Sequence, residues 1–440
     1  MENIQNIYDT NIKSILGGNL DYFQNYRQKI IKNFALDNQS IQNNESTKHI
    51  DRNVLNNLNF KINQSSLHYK HLNNDKLDPS IIVKNGIHYS FINLNNKSVI
   101  INPLNSDFDL LINKLEKNKD LFKDDYIVNL NSIFLNSGFD FTLKENTNLR
   151  TIISHENDQL DSTIYAKNFL NIKKNSKLLL IEKFINKISS NSNIINFFEL
   201  EEGSEVIHLV IQNNSNESNI QFTSHATCHK NSVFNQLIFN SGDVSLRNHH
   251  YANLIGEHSE ANLKGIFFAG KKQIIDNKTN INHLIHSCTS NQIYKGVLTD
   301  NAKASYLSKT FVDKQAQKTD GYQLSKGILL SEDAYFHSKP ELRIFADEEG
   351  VMNKSITEIK GEAIVVSQFT LHAKTTKGNR PSYIKAARPQ QAIPLYENFK
   401  EDLSIAIGKE IQSGEFGANM KVSLTNDGPV TIIMDTKNKE

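Results

Sequence analysis

Three groups of histidine and cysteine stand close together along the chain: His225, Cys228 and His229; His249 and His250; and His283, His286 and Cys288. Thiolate combined with imidazole suits zinc or iron–sulfur chemistry. Zinc sites pair their ligands more tightly, as in C-x2-C, and no such pair occurs here. Ordinary packed or exposed side chains outweigh a metal site, so no residue is assigned as a metal ligand. A second stretch is basic. Lys374, Lys377, Arg380, Lys385 and Arg388 form an acid-free run around Tyr383. Such a run can meet nucleic-acid phosphates. On charge pattern alone a solvated loop is the weightier reading. Asn426-Asp427-Gly428-Pro429 is a strong turn signal.

The elements that must position these residues fall into three zones. Over residues 1–35, Ile4, Ile7, Tyr8, Ile12 and Ile15, then Tyr22, Tyr26, Ile30 and Phe34, recur near the helical period on either side of Gly17-Gly18. Residues 36–66 are polar and read as a connection. Short β runs at Ile81–Val83 and Ser98–Ile101 precede a helical pattern of Phe108, Leu111, Leu115 and Leu121. From Tyr126 to Phe345, short β-rich runs follow one another between polar turns. They are Ile127–Leu130, Leu178–Glu182, Ile194–Phe198, Val206–Gln212, Phe234–Phe239, Gly265–Phe268 and Tyr306–Val312. Many short strands with Asn, Ser or Gly turns suggest a solenoid of stacked β-turns. Pro394 to Ile411 reads as an amphipathic helix, with Leu395, Phe399, Leu403, Ala406 and Ile407 on a core face and Gly414 past its end.

At 440 residues the chain has room for more than one core. Its net charge of +1 supplies no global field toward nucleic acid or membrane. Two cysteines argue against a disulfide framework and for a reducing compartment. The polar N-terminus lacks the apolar stretch of a secretory signal, and no apolar run is long enough to span a bilayer. A cytoplasmic location is expected. The abundance of Asn, Ile and Lys points to an AT-rich genome rather than to a function.

Asn280-Ile281-Asn282-His283, then residues 286–298 from His286-Ser287-Cys288 to Lys295-Gly296-Val297-Leu298, Ala316–Gln323, Leu329–Ala334 and Lys339-Pro340-Glu341-Leu342 occur in an order that resembles SufD, the scaffold subunit of the SUF iron–sulfur assembly machinery. Asn129–Phe134 with Gly138 resembles the entry into that family's core. The resemblance covers about 1–345, most specifically from residue 80. It implies a right-handed parallel β-helix with flanking helices, a scaffold rather than an enzyme, and SufB and SufC as partners. It also implies an iron–sulfur cluster held only transiently, with no resident cofactor. After Ala346 the chain departs from the family. Asp347-Glu348-Glu349-Gly350-Val351-Met352 stands in place of a Cys/His-bearing segment and a helical tail that docks the ATPase.

Residues 342–435 resemble a second family, D-aminoacyl-tRNA deacylases of the D-tyrosyl type. The resemblance rests on Leu342–Phe345 with Asp347–Ser355, on Val365-Val366-Ser367-Gln368-Phe369-Thr370-Leu371, on Lys377–Ser382 and on Asn426–Thr431. It implies ester hydrolysis of D-aminoacyl-tRNA, with Ser367, Gln368, Phe369 and Thr370 at the pocket for the aminoacyl ester. Donors aimed at the forming oxyanion are needed there, and backbone amides are good candidates. Thr370 has no adjacent His or carboxylate in sequence to activate it, so it positions rather than attacks. Gly428 and Pro429 resemble the Gly-cis-Pro element that excludes L-amino acids across a dimer interface, and X-Pro bonds can adopt the cis form. Lys377, Arg380 and Arg388 then fall to tRNA contact, and a homodimer through this segment is implied. The family's opening strands have no counterpart here, because the residues before 342 are SufD-like.

The expected fold is thus mainly β with flanking helices: a helical and polar segment over 1–79, a parallel β-helix over 80–341, and a small, incomplete α/β deacylase-like segment over 342–440. The expected function is a SUF scaffold subunit carrying that segment. The alternatives are a working deacylase fusion, or a chimeric junction of two truncated genes with neither activity intact. Lys339–Gly350 suits both families and has no Pro/Ser/Gly linker, as independent domains usually do.

Overall fold

The computed structural model describes residues 4–37, 67–74, 76–94, 97–122, 125–158, 163–186, 190–345, 356–372, 382–384 and 386–423. The chain divides into two compact units, Met1–Glu348 and Glu349–Glu440. Most of the connection read at 36–66 lies outside the described residues, as do Lys374, Lys377, Arg380, Lys385, Gly428 and Pro429.

The first unit opens with helices α1 (Ile4–Asn11) and α2 (Asp21–Asp37). Helix α3 spans Phe108–Asn118 and α4 spans Tyr126–Phe134. The start of α4 corrects the β run read at Ile127–Leu130. Asp125 caps it, accepting from the Ile127 and Val128 amides at 3.0 and 3.2 Å. Ile127, Leu130, Ile133 and Phe134 then recur at helical spacing and bury against Ile7, Tyr8, Ile15, Ile31 and Tyr165. The apolar run is helical because a cap starts it and a second helix layer covers it.

Among the described residues the strands of this unit form one sheet of seventeen. Two antiparallel pairings lead in, Ser80–Lys84 with His88–Ile92 and Val99–Pro103 with Ser137–Leu143. From Ser137 to Ile344 the strands wind into a parallel β-helix, each pairing with the strand one rung on. Over much of the helix stacked side chains lie 28 or 29 residues apart in sequence, the length of a rung. The last two rungs lengthen, pairing Thr289 with Asp320 and Lys303 with Tyr335. One corner of successive rungs carries a left-handed residue: Asn146, Asn175, Gly203, Asn231, His258, Ser287 and Lys318. Glycine and asparagine tolerate that conformation best.

Inward-facing apolar side chains from successive rungs form the core, including Leu178, Leu180, Val206, Phe234 and Leu263. Each such side chain contributes about 1.5–3 kcal/mol relative to exposure. The strands Asn148–Asn157, Ile274–His283 and Thr289–Leu298 are too polar to stand out in sequence, yet they pair throughout. Their polar side chains bond along the stack, as from Asn282 to Asn253 and from Asn291 to Asn262, both at 2.8 Å. Farther on, size alternates: Gly265 lies opposite Tyr294, and Phe267 opposite Gly296. A Cβ on Gly296 would come within 2.1 Å of the Phe267 ring. The last strands, Asp320–Leu329 and Tyr335–Ile344, contain no buried residue. Leu342 is 56% exposed and Ile344 54%.

The second unit is small. Ile364–Val365 pairs in parallel with Gln412–Ser413, a 3-10 turn spans Phe369–His372, and helix α5 spans Pro389–Ile407. Pro389 starts α5, and Gly408 ends it in the left-handed conformation, its amide bonding Ser404 O at 2.9 Å. The helix therefore begins before Pro394 and stops well short of Gly414. Its apolar face is not core: no residue of α5 is buried, and Leu395 is 67% and Phe399 55% exposed.

Candidate functional site

In the second unit the short strand Ile364–Val365 delivers Val366, Ser367 and Gln368 as extended chain into the 3-10 turn that holds Phe369 and Thr370. The Tyr396 hydroxyl fixes the strand from α5, donating to Val365 O at 2.9 Å. Ser367 and Thr370 are half-buried, whereas Gln368 and Phe369 are exposed. The Gln368 side-chain amide donates to the Thr370 hydroxyl. Phe369 packs edge-on against Tyr383, with ring centroids 4.9 Å apart. Ser367 and Gln368 therefore lead directly into the turn that holds Phe369 and Thr370. Arg388 is exposed at the N-terminus of α5.

The histidines and cysteines of the β-helix are scattered by strand alternation. His225 is buried against Phe122, and burial pushes it down to about 4. Cys228 is buried and its thiol is pushed up to about 12. His229 turns outward to Glu199 at 2.7 Å, and His286 to Glu257 at 3.1 Å. His283 meets Ser290 at 2.8 Å. Among the described residues no group of three or more His, Cys, Asp or Glu could hold a metal.

A polar chain inside the β-helix escaped sequence reasoning. Glu182 is fully buried, with His155 Nε2 2.6 Å from Oε1 and His208 Nε2 2.9 Å from Oε2. Asn196 donates to Oε2 at 2.7 Å. Gln236 links His208 to Ser224, whose hydroxyl lies 2.7 Å from His250 Nδ1. Burial pushes the Glu182 carboxyl up, but the two imidazole hydrogen bonds outweigh it and hold it down at about 2. The available signal was a lone carboxylate inside the apolar run Leu178–Phe184. A second cluster ties α4 to the outer face. Asp125 bonds Arg247 Nη2 at 2.5 Å and lies 3.6 Å from His249, which reaches Asp276 at 3.0 Å. Burial opposes the Asp125 charge, yet Arg247 and His249 keep its carboxyl well below the usual range.

These features define a β-helix with a charged interior, followed by a small turn-and-helix unit. Residues 152–352 match the family model for the SUF system FeS cluster assembly SufBD core domain. Residues 333–435 match the model for D-Tyr-tRNA(Tyr) deacylase. Both matches include 333–352, and so the strand Tyr335–Ile344 and the join around Lys339–Gly350.

Among curated relatives, a D-aminoacyl-tRNA deacylase of Bacteroides fragilis is 72% identical over 99 residues, which is 22% of this chain and 66% of that protein. One from Bacteroides thetaiotaomicron is 73% identical over the same length and shares. A third, from Phocaeicola vulgatus, is 68% identical over 146 residues, covering 33% of this chain and 90% of that protein. The chain thus spans just under two thirds of the first two. Through its C-terminal part it belongs to the D-aminoacyl-tRNA deacylase family, and that part is joined to a SufBD core domain. No helix among the described residues is long and apolar enough to cross a membrane.

Proposed function

We propose that the protein is a cytoplasmic scaffold subunit of an iron–sulfur cluster assembly complex. The observation that carries this reading is the parallel β-helix continuing unbroken to Ile344 within the span of the SufBD core match. Its final strands are open to solvent, which suits a subunit that works by pairing with another. SufB is the partner expected there, with the cluster as passing cargo. SufC is expected to bind weakly, because the residues after Ala346 depart from the family's ATPase-docking tail. The test is co-expression of the full chain with SufB and SufC. Co-elution with SufB supports the reading, and failure to associate with either subunit overturns it.

A second reading rests on the high identity of the C-terminal part to deacylases. In it, Ser367, Gln368, Phe369 and Thr370 hold the aminoacyl ester, and Gly428 and Pro429 exclude L-amino acids across a homodimer. Lys377, Arg380 and Arg388 contact tRNA. Little turnover of D-tyrosyl-tRNA is expected. Robust turnover that is lost on Gly428→Ala would favour this reading over the first.

A further inference from the structure

A cavity of about 260 Å³ lies in the first unit between α2, α3, α4 and the outer face of the β-helix. Lys167 stands at its floor, on the strand Thr163–Ile172, with only 3% of its surface exposed. Its ammonium nitrogen has a single hydrogen-bond partner among the described residues, Ser132 Oγ at 2.7 Å. Glu116 and Asp120 line the same cavity, but among the described residues no carboxylate pairs with this nitrogen. The charge felt there is Arg27, of the same sign. A lysine can donate three hydrogen bonds, so two are unspent among the described residues. Burial first, then Arg27, push this amine down to about 7.

The walls have two kinds of surface. Leu115, Phe122, Phe169 and Phe197 are apolar, and Phe169 and Phe197 stack at 5.2 Å. Charge at the mouth is balanced: Lys114 is committed to Asp140 at 2.6 Å and Lys119 to Glu116 at 2.8 Å, and Lys29 and Asp120 also line it. Tyr26 brings a hydroxyl to Ser132, and burial keeps that phenol protonated, at about 12. Ser132 spends its own proton on Val128 O at 3.1 Å, so the free donors at the floor are the two unspent N–H bonds of Lys167. Two donors on one nitrogen match the two oxygens of a carboxylate better than the three oxygens and higher charge of a phosphate.

We propose that this cavity binds a small carboxylate with an apolar body. The carboxylate meets the Lys167 amine, which Ser132 and Tyr26 hold in place, and the body packs on Phe122, Phe169 and Phe197. Binding draws a proton onto Lys167, because the incoming anion supplies the counter-charge the site lacks. The site is separate from the scaffold and deacylase readings and stands whether or not either holds.

The test is calorimetric titration of the full chain with benzoate and with hexanoate, in two buffers of different ionisation heat. Saturable binding with net proton uptake is expected, weakening about tenfold per pH unit above the amine's titration. Benzamide, the neutral isostere, is expected not to bind. Lys167→Met is expected to abolish binding while keeping the β signal in circular dichroism, since it removes an uncompensated buried charge. Tyr26→Phe, which keeps the ring, is expected to weaken binding several-fold. Three results would overturn the proposal: no binding of either acid up to about 10 mM, equal binding by Lys167→Met, or binding without proton uptake.

Discussion

In the β-helix, ten-residue strands such as Asn191–Leu200 are buried almost throughout, polar side chains included. In the second unit the nineteen-residue helix α5 buries none of its residues, although its sequence is amphipathic. The difference lies in where a partner surface comes from. A solenoid rung finds its partner one rung away in the same chain, so asparagines such as Asn168 and Asn196 bond to each other inside. Among the described residues a helix beside a two-residue strand pair has no facing layer, and an amphipathic pattern then yields an exposed stripe. Polarity of sequence is therefore a poor guide to burial in the first unit, and apolarity is a poor guide in the second.

The sharpest way to break this contrast is to remove a buried charge from the β-helix. Glu182→Ala leaves His155, His208 and Asn196 without their acceptor, and a loss of about 3–5 kcal/mol is expected in chemical denaturation. A loss near zero would mean that the interior network is dispensable, so burial without satisfaction would suffice. Acid tests the same group. Its folded carboxyl sits at about 2 against an ordinary 4.5, so its contribution is full above about pH 4.5 and is lost as pH falls toward 2. On that shift the loss is about 3 kcal/mol. A denaturation midpoint independent of pH in this window would contradict the Glu182 assignment.

Lys167 reverses the sign. Its folded amine sits at about 7 against an ordinary 10.5, so the unfolded chain holds the extra proton between those values. Stability therefore rises with pH across that window, and Lys167→Met is expected to gain about 1–3 kcal/mol near neutral pH. The gain should shrink as pH approaches 10.5. A gain that does not vary with pH would point to packing rather than charge. Gly296→Ala probes the fit of the core. The added methyl meets the Phe267 ring, and a loss of about 1–3 kcal/mol is expected from overpacking.

The solenoid was legible in the sequence from its short runs and Asn-rich turns, but its period was not. Rungs repeat a backbone conformation rather than a residue. The left-handed corner is Asn at 146, 175 and 231 but Gly at 203 and Lys at 318. Asparagine abundance reads as genome composition until Asn168–Asn196 and Asn253–Asn282 are seen bonded between rungs. Ile127–Leu130 misled because a β-branched run suits a strand until the Asp125 cap is weighed. The segment holding Ser367, Gln368, Phe369 and Thr370 was legible as a motif. The Glu182 chain was not, since its members are far apart in sequence and meet only through the rung period.

The smallest expected effect is the most informative about the second unit. Phe399→Ala removes a large ring from α5, yet the ring is more than half exposed and carries little buried area. A change within about 0.5 kcal/mol is expected when the full chain is denatured on its own. The same substitution at a buried phenylalanine of the β-helix, such as Phe234, should cost about 3–5 kcal/mol. If Phe399→Ala instead costs several kcal/mol and the loss deepens with protein concentration, a second copy covers α5 in solution. The helix would then have its missing layer after all, supplied by association rather than by the next rung. A loss independent of concentration would place the covering surface within the chain, and the contrast between the two units would fail.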